Sequence, residues 1–178
     1  MTYTPKTFNL SALSGISDKQ IKVHLALYEG YVKQVNELID TPNAPRFAFE
    51  FNGMRLHEYY FEQLEGRQTS LTSGSALEGI EAKVKETAGT RGPGWVVVYF
   101  DPVTQAFHTA FVHDHEIGQF AGLPIILVLD MWEHAYMVDY LPAEKKNYID
   151  AFFANVNWGV IERRFDSASR RSEKMSAA

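Results

Sequence analysis

Apolar residues recur at helical spacing through ISDKQIKVHLALYEGYVKQVNELID, where Ile21, Leu25, Tyr28, Val32 and Val35 share one face. Polar residues fill the opposite face and Ser17 stands in front as an N-cap, so the stretch predicts an amphipathic helix. TPNAP at 41–45 breaks it. A second helix is predicted around FNGMRLHEYYFEQLEG, stopping near Gly66, and RQTSLTSGS after it is loop-like. SALEGIEAKVKETAG reads as a third, more polar helix. The texture changes at the turn cluster TRGPG, 90–94. WVVVYF is β-branched and aromatic, DPVTQ is a turn, and AFHTAFV completes a hairpin. Past the loop HDHEIGQFAG, PIILVLD is apolar without a break, as a strand with no wet face would be. AEKKNYIDAFFANVNWGVIERRF supplies closing helices, and the basic RRFDSASRRSEK reads as a solvated, fraying tail.

The pattern predicts an α+β fold. An N-terminal long-helix hairpin packs on a C-terminal α/β part with a small, three-stranded antiparallel sheet. The boundary at TRGPG divides the chain into a helical domain over 1–89 and an α/β domain over 90–178. A functional site is expected between them.

Composition narrows the chemistry. The 178 residues hold no cysteine, which excludes disulfides, thiolate metal sites and cysteine nucleophiles. A net charge of −5 offers no phosphate-binding surface, so nucleic acid is not an expected partner. No apolar run is long enough for a membrane span, and MTYTPKTFNLSALSG lacks the layout of a secretory signal. The expectation is a cytoplasmic protein.

Six histidines remain, at 24, 57, 108, 113, 115 and 134. Taken singly, His24 beside Tyr28 and Tyr31, or His57 between Leu56 and Tyr59, reads as a core histidine among aromatics. Taken together they read otherwise. Two antiparallel helices can each turn one imidazole to a common point, as bundle metal sites do. A buried strand end can bring Asp130 there, and the turn after it can return His134. Three neutral nitrogens and a carboxylate suit a first-row ion such as iron, manganese or zinc. The ligands span over a hundred residues, and no H-E-x-x-H is present.

D-M-W-E-H-A-Y at 130–136 resembles the D-x-W-E-H-A-[FY] signature of the iron/manganese superoxide dismutases. H-L-A-L-Y-E-G-Y-V is similar to that family's metal-binding first helix, and L-H-E-Y-Y-F to its second ligand segment. G-P-G-W at 92–95 and V-N-W at 156–158 match further landmarks in the right order. The resemblance implies metal ligands His24, His57, Asp130 and His134, holding one iron or manganese ion. It implies Tyr31 at the substrate entrance and Trp132 packed on the metal site. Glu133 corresponds to a glutamate that reaches the ligand histidine of a partner subunit, implying a homodimer or a dimer of dimers. The implied activity is conversion of superoxide to dioxygen and hydrogen peroxide, in antioxidant defence. The alternatives are a non-catalytic metal-binding or interaction protein on the same scaffold, a non-haem iron oxygenase, or a plain domain with core histidines.

Four departures accompany the resemblance. Gly53 stands where many members carry a solvent-binding glutamine. A subset uses histidine from the loop before the third strand, which points to His115, with His113 as runner-up. His24 and Tyr31 are one residue closer than in many members, which would remove a helical bulge. Leu27 and Met137 are apolar where others link a histidine and a tyrosine across the dimer. In addition, Val128 stands where manganese-preferring relatives often carry glycine, favouring iron with dual use open.

Overall fold

A computed structural model describes residues 2–176 apart from Ser11, Pro42, Asn43 and Arg67, with side chains through Arg170. Two residues of the TPNAP break and the first of the RQTSLTSGS loop therefore lie outside the described residues. Helix α1 runs Asp18–Leu38, α2 Phe47–Glu62 and α3 Ile80–Thr87. Strands β1 Trp95–Asp101, β2 Ala106–Val112 and β3 Ile125–Asp130 follow, then α4 Lys145–Phe153 and α5 Trp158–Ser176. This is the expected α+β arrangement.

Helix α1 forms where its spacing predicted it. The Ser17 hydroxyl accepts from the Gln20 N–H at 3.1 Å, satisfying one orphan donor of the first turn. Ile21, Tyr28, Val32 and Val35 are buried, and the helix is α-helical throughout, without a bulge between His24 and Tyr31. Its antiparallel partner α2 begins a turn earlier than expected and ends at Glu62, short of Gly66. Gly66 adopts a φ of +82° in the turn that follows, a conformation that favours glycine. The third helix is shorter than predicted, because residues 76–79 form turns and Gly79 enters the left-handed region.

The sheet order is β2-β1-β3, both pairings antiparallel. β1 lies in the middle, and its residues from Trp95 to Phe100 are all buried. β3 is an edge strand, and α2 covers that edge. The Gln63 side chain just past the helix accepts from the Val128 N–H at 3.2 Å and donates to the Val128 carbonyl. A buried amide thus supplies the pairing a fourth strand would have given.

The C-terminal segment corrects the expectation of a fraying tail: RRFDSASRRSEK lies within α5. Ile161, Phe165 and Ala168 recur at helical spacing beneath the charges, and Phe165 packs on Phe100 and Phe107. Arg164 donates to the Tyr59 carbonyl at 2.9 Å, the Ile126 carbonyl at 3.2 Å and Glu62 Oε2 at 3.1 Å. Burial works to raise the Glu62 carboxyl, but Lys6 and Arg164 beside it hold it below its ordinary value. A carboxylate with a depressed folded pKa stabilises the fold fully above its unfolded pKa, and that stability is lost as pH falls through the folded value. Glu62→Gln should therefore lower urea stability at pH 7 by about 0.5–1 kcal/mol, Glu62 being partly exposed. The gap between the two proteins should shrink below pH 4. A gap that widens in acid would contradict this pairing.

Candidate metal centre

Two helix interiors, a strand end and the turn after it each contribute one side chain to a single buried point. α1 turns His24 inward from the face that carries Ile21 and Tyr28. α2 contributes His57, whose Nδ1 lies 2.7 Å from the carbonyl of Gly53, one turn back. That contact makes Nδ1 the donor and leaves Nε2 free with a lone pair. Asp130 ends β3, opposite Trp95 in the register with β1. Its Oδ1 accepts from the Trp132 N–H at 2.8 Å, and its backbone carbonyl accepts from the Tyr148 hydroxyl at 2.7 Å. A 3₁₀ turn, Glu133–Ala135, then brings His134 back. Gln20 holds this turn against α1, donating to the His134 carbonyl at 2.7 Å and accepting from the Val138 N–H at 3.0 Å.

Asp130 Oδ2 faces three imidazole nitrogens: His134 Nε2 at 3.0 Å, His24 Nε2 at 3.2 Å and His57 Nε2 at 3.8 Å. The four donor atoms all lie within 4.8 Å of one another. His24, His57 and Asp130 are fully buried, while His134 keeps a partly exposed edge. Burial pushes the His24 and His57 pKa values down, so both rings are neutral near pH 7. Burial works to raise the Asp130 carboxyl, but His134 and His24 hold it well below the usual range. Neutral nitrogens around an anionic oxygen are the donor set a transition metal requires. Among the described residues, His24 Nε2 and His57 Nε2 are buried without a hydrogen-bond partner. Such orphans are costly in a core, and a cation among them would satisfy both. The residues fit an iron or manganese ion.

Aromatic rings enclose the cluster. Trp132 stacks on His134 at 6.0 Å between centroids, and Trp95 stands edge-on to His57 at 5.0 Å. The Tyr31 ring is 5.1 Å from His57 and 5.2 Å from His115. Burial pushes the Tyr31 hydroxyl pKa up, keeping it protonated at neutral pH. Of the two loop histidines, His115 is buried beside the cluster, 6.4 Å from the His57 ring. His113 is exposed and packs on Phe111. Glu133 is exposed on the surface next to His134. Gln20, Asn52 and Tyr148, which anchor the ligands and the loop, were missed by sequence reasoning. Gln20 alone left a signal, one turn before His24 on the same face.

Residues 71–164, more than half of the chain, match the family profile of the iron/manganese superoxide dismutases, C-terminal domain. Superoxide dismutase [Fe] of Aquifex pyrophilus is 30% identical, over 92% of this chain and 90% of its own. Superoxide dismutase [Fe] of Cupriavidus metallidurans is 30% identical over 89% and 92%. Superoxide dismutase [Mn] of Haloarcula marismortui is 28% identical over 92% and 93%. With the signature segment at the centre of a buried His₃Asp cluster, the chain belongs to the iron/manganese superoxide dismutase family.

Proposed function

We infer that the protein is a superoxide dismutase, an oxidoreductase that converts superoxide to dioxygen and hydrogen peroxide with one iron or manganese ion. The observation that carries this is the buried convergence of His24, His57, Asp130 and His134, which we take as the ligands. A bound iron or manganese ion would supply the one-electron redox chemistry by which one superoxide is oxidised and a second reduced. The chain's own residues do the rest. Asp130 brings the negative charge, and the neutral His24 and His57 imidazoles leave the cluster with room for a cation's charge. Peroxide formation consumes protons. Tyr31, protonated at neutral pH, and His115, with both ring nitrogens unpaired among the described residues, are the groups we assign to hold and deliver them. Trp95 and Trp132 pack on His57 and His134, and Phe49 packs on His115.

The ion would sit between the helical part, 1–89, and the α/β part, 90–178. Iron is the favoured ion on the strength of Val128, with manganese also usable; relatives of both names match the chain. Among the described residues no helix is long and apolar enough to cross a membrane. A cysteine-free chain suits the cytoplasm without requiring it. The non-catalytic alternative has no observation in its favour.

A homodimer is proposed through the surface around Glu133. Val23 of α1 and Met137, Val138 and Leu141 just past the 3₁₀ turn are exposed, and the Gln20 side chain ties α1 to the Val138 backbone. Large exposed apolar side chains of this kind can build an interaction surface. Met137→Asp should convert the dimer to a monomer in light scattering after size exclusion. A wild-type monomer, or a dimer indifferent to this change, would remove the proposal.

The activity is tested by following superoxide decay in stopped flow with protein loaded separately with iron, manganese and zinc. Iron or manganese should give catalysis and zinc none, since zinc has no one-electron redox chemistry. Equal decay with all three, or with none, would overturn the reading.

A further inference from the structure

Two poor helix formers stand side by side in the middle of α2. Asparagine and glycine both weaken a helix interior, glycine by about 1 kcal/mol relative to alanine. Asn52 and Gly53 nevertheless occupy that place, and both face the same loop residue 62 or more positions away. The Asn52 side chain donates to the His115 backbone carbonyl at 2.7 Å. A Cβ on Gly53 would lie 2.7 Å from His115 Nδ1 and 2.8 Å from its Cε1, so the imidazole occupies the space a side chain would take. Phe49, one turn earlier on the same stripe, packs its ring 4.4 Å from the imidazole. The Arg46 guanidinium lies 4.3 Å from the centre of the Phe49 ring and bonds Glu50 at 3.2 Å.

The His115 ring is itself fully buried, yet neither nitrogen reaches hydrogen-bonding geometry with any described residue; the Phe49 carbonyl faces the ring without attaining it. Among the described residues, what holds the ring in place is its backbone and the walls around it. Those walls are Phe49, Gly53, Tyr31 and Trp132.

We propose that Asn52 is the positioning residue of His115: with Phe49 and Gly53 it makes a socket on α2 that fixes where the imidazole stands beside the metal cluster. The proposal rests on the assignment of His115 as the group beside the ion. Asn52 touches neither substrate nor ion and acts through the loop backbone. The socket couples the two halves of the chain, because the hydrogen bond joins α2 to the loop between β2 and β3.

The test compares the iron-loaded wild type with Asn52→Ala, His115→Ala and the double variant, using two readouts. Amide hydrogen exchange over residues 113–118 should accelerate about tenfold or more in Asn52→Ala, with β1 unchanged. The midpoint potential of the iron should shift in Asn52→Ala in the same direction as in His115→Ala. The double variant should match His115→Ala alone, because a residue acting through another adds nothing once that other is gone. Unaltered exchange, or additive shifts in potential, would overturn the proposal. A His115→Ala potential equal to wild type would instead defeat the assignment of His115, leaving exchange to decide on Asn52. Should Asn52→Ala fail to fold, Asn52→Asp keeps the size while removing the donor, and the same readouts apply.

Discussion

His57→Ala should lose bound metal and dismutation together while the metal-free chain stays folded. Two structural effects of the change oppose each other. Truncating a buried ring leaves a cavity, which costs about 2–4 kcal/mol by analogy with large-to-alanine core changes. It also removes a buried nitrogen that has no partner, relieving about 1–3 kcal/mol of desolvation. The metal-free protein should therefore melt within a few degrees of wild type. The loaded protein behaves differently, since an ion that binds only the folded state raises stability in proportion to its affinity. The gap in melting temperature between loaded and metal-free wild type should vanish in the variant. Activity should fall by more than about a hundredfold, given that partners which merely orient ligands cost roughly 10–100-fold. Metal content by mass spectrometry and calorimetry with and without metal check this. Lower stability with metal and activity retained would return His57 to the ordinary core.

Gly53→Ala has an unusual expected sign. In most helix interiors the change would stabilise by about 1 kcal/mol. Here the new Cβ would meet His115 Nδ1 at 2.7 Å, His115 Cε1 at 2.8 Å and Tyr31 Cδ1 at 2.8 Å. Neither ring can retreat freely, because Trp132 and Phe49 pack against His115 and His57 against Tyr31. Overpacking of this kind costs about 1–3 kcal/mol and moves both residues assigned to proton delivery. Stability should fall, and dismutation should fall further than stability accounts for. His115→Ala in the same chain removes two of the three close contacts and gives the Tyr31 ring space to shift, so Gly53→Ala should cost less in that background than in the wild type. A Gly53→Ala protein more stable than wild type would show that the rings have room to yield.

Much of the fold was written in periodicity. The spacing of Ile21, Tyr28, Val32 and Val35 gave α1, and unbroken apolar runs gave β1 and β3, because each has a face or faces that must leave water. Only the later part of α5, RRFDSASRRSEK, was misread, because its charged residues outnumber the apolar ones; the stripe of Ile161, Phe165 and Ala168 is visible only once Arg164 is seen packed against α2. The four clustered residues were legible through their types and a distinctive segment, although they come from four places in the chain. The anchors were not, apart from the place of Gln20 on the His24 face of α1. Gln20 reaches a carbonyl 114 residues away and Asn52 one 63 residues away. Side-chain to backbone bonds of that range leave no repeat in the sequence. The choice between His113 and His115 was open for the same reason: burial distinguishes them, and two histidines in one polar loop give no sign of which is covered.

The central claim is that His24, His57, Asp130 and His134 hold one redox-active ion. Anomalous diffraction from crystals of iron-loaded and manganese-loaded protein, collected at each metal's absorption edge, tests it most directly. The expected result is a single peak per chain, bounded by the three Nε2 atoms and Asp130 Oδ2. A peak elsewhere, or none at that point in fully loaded protein, would contradict the claim.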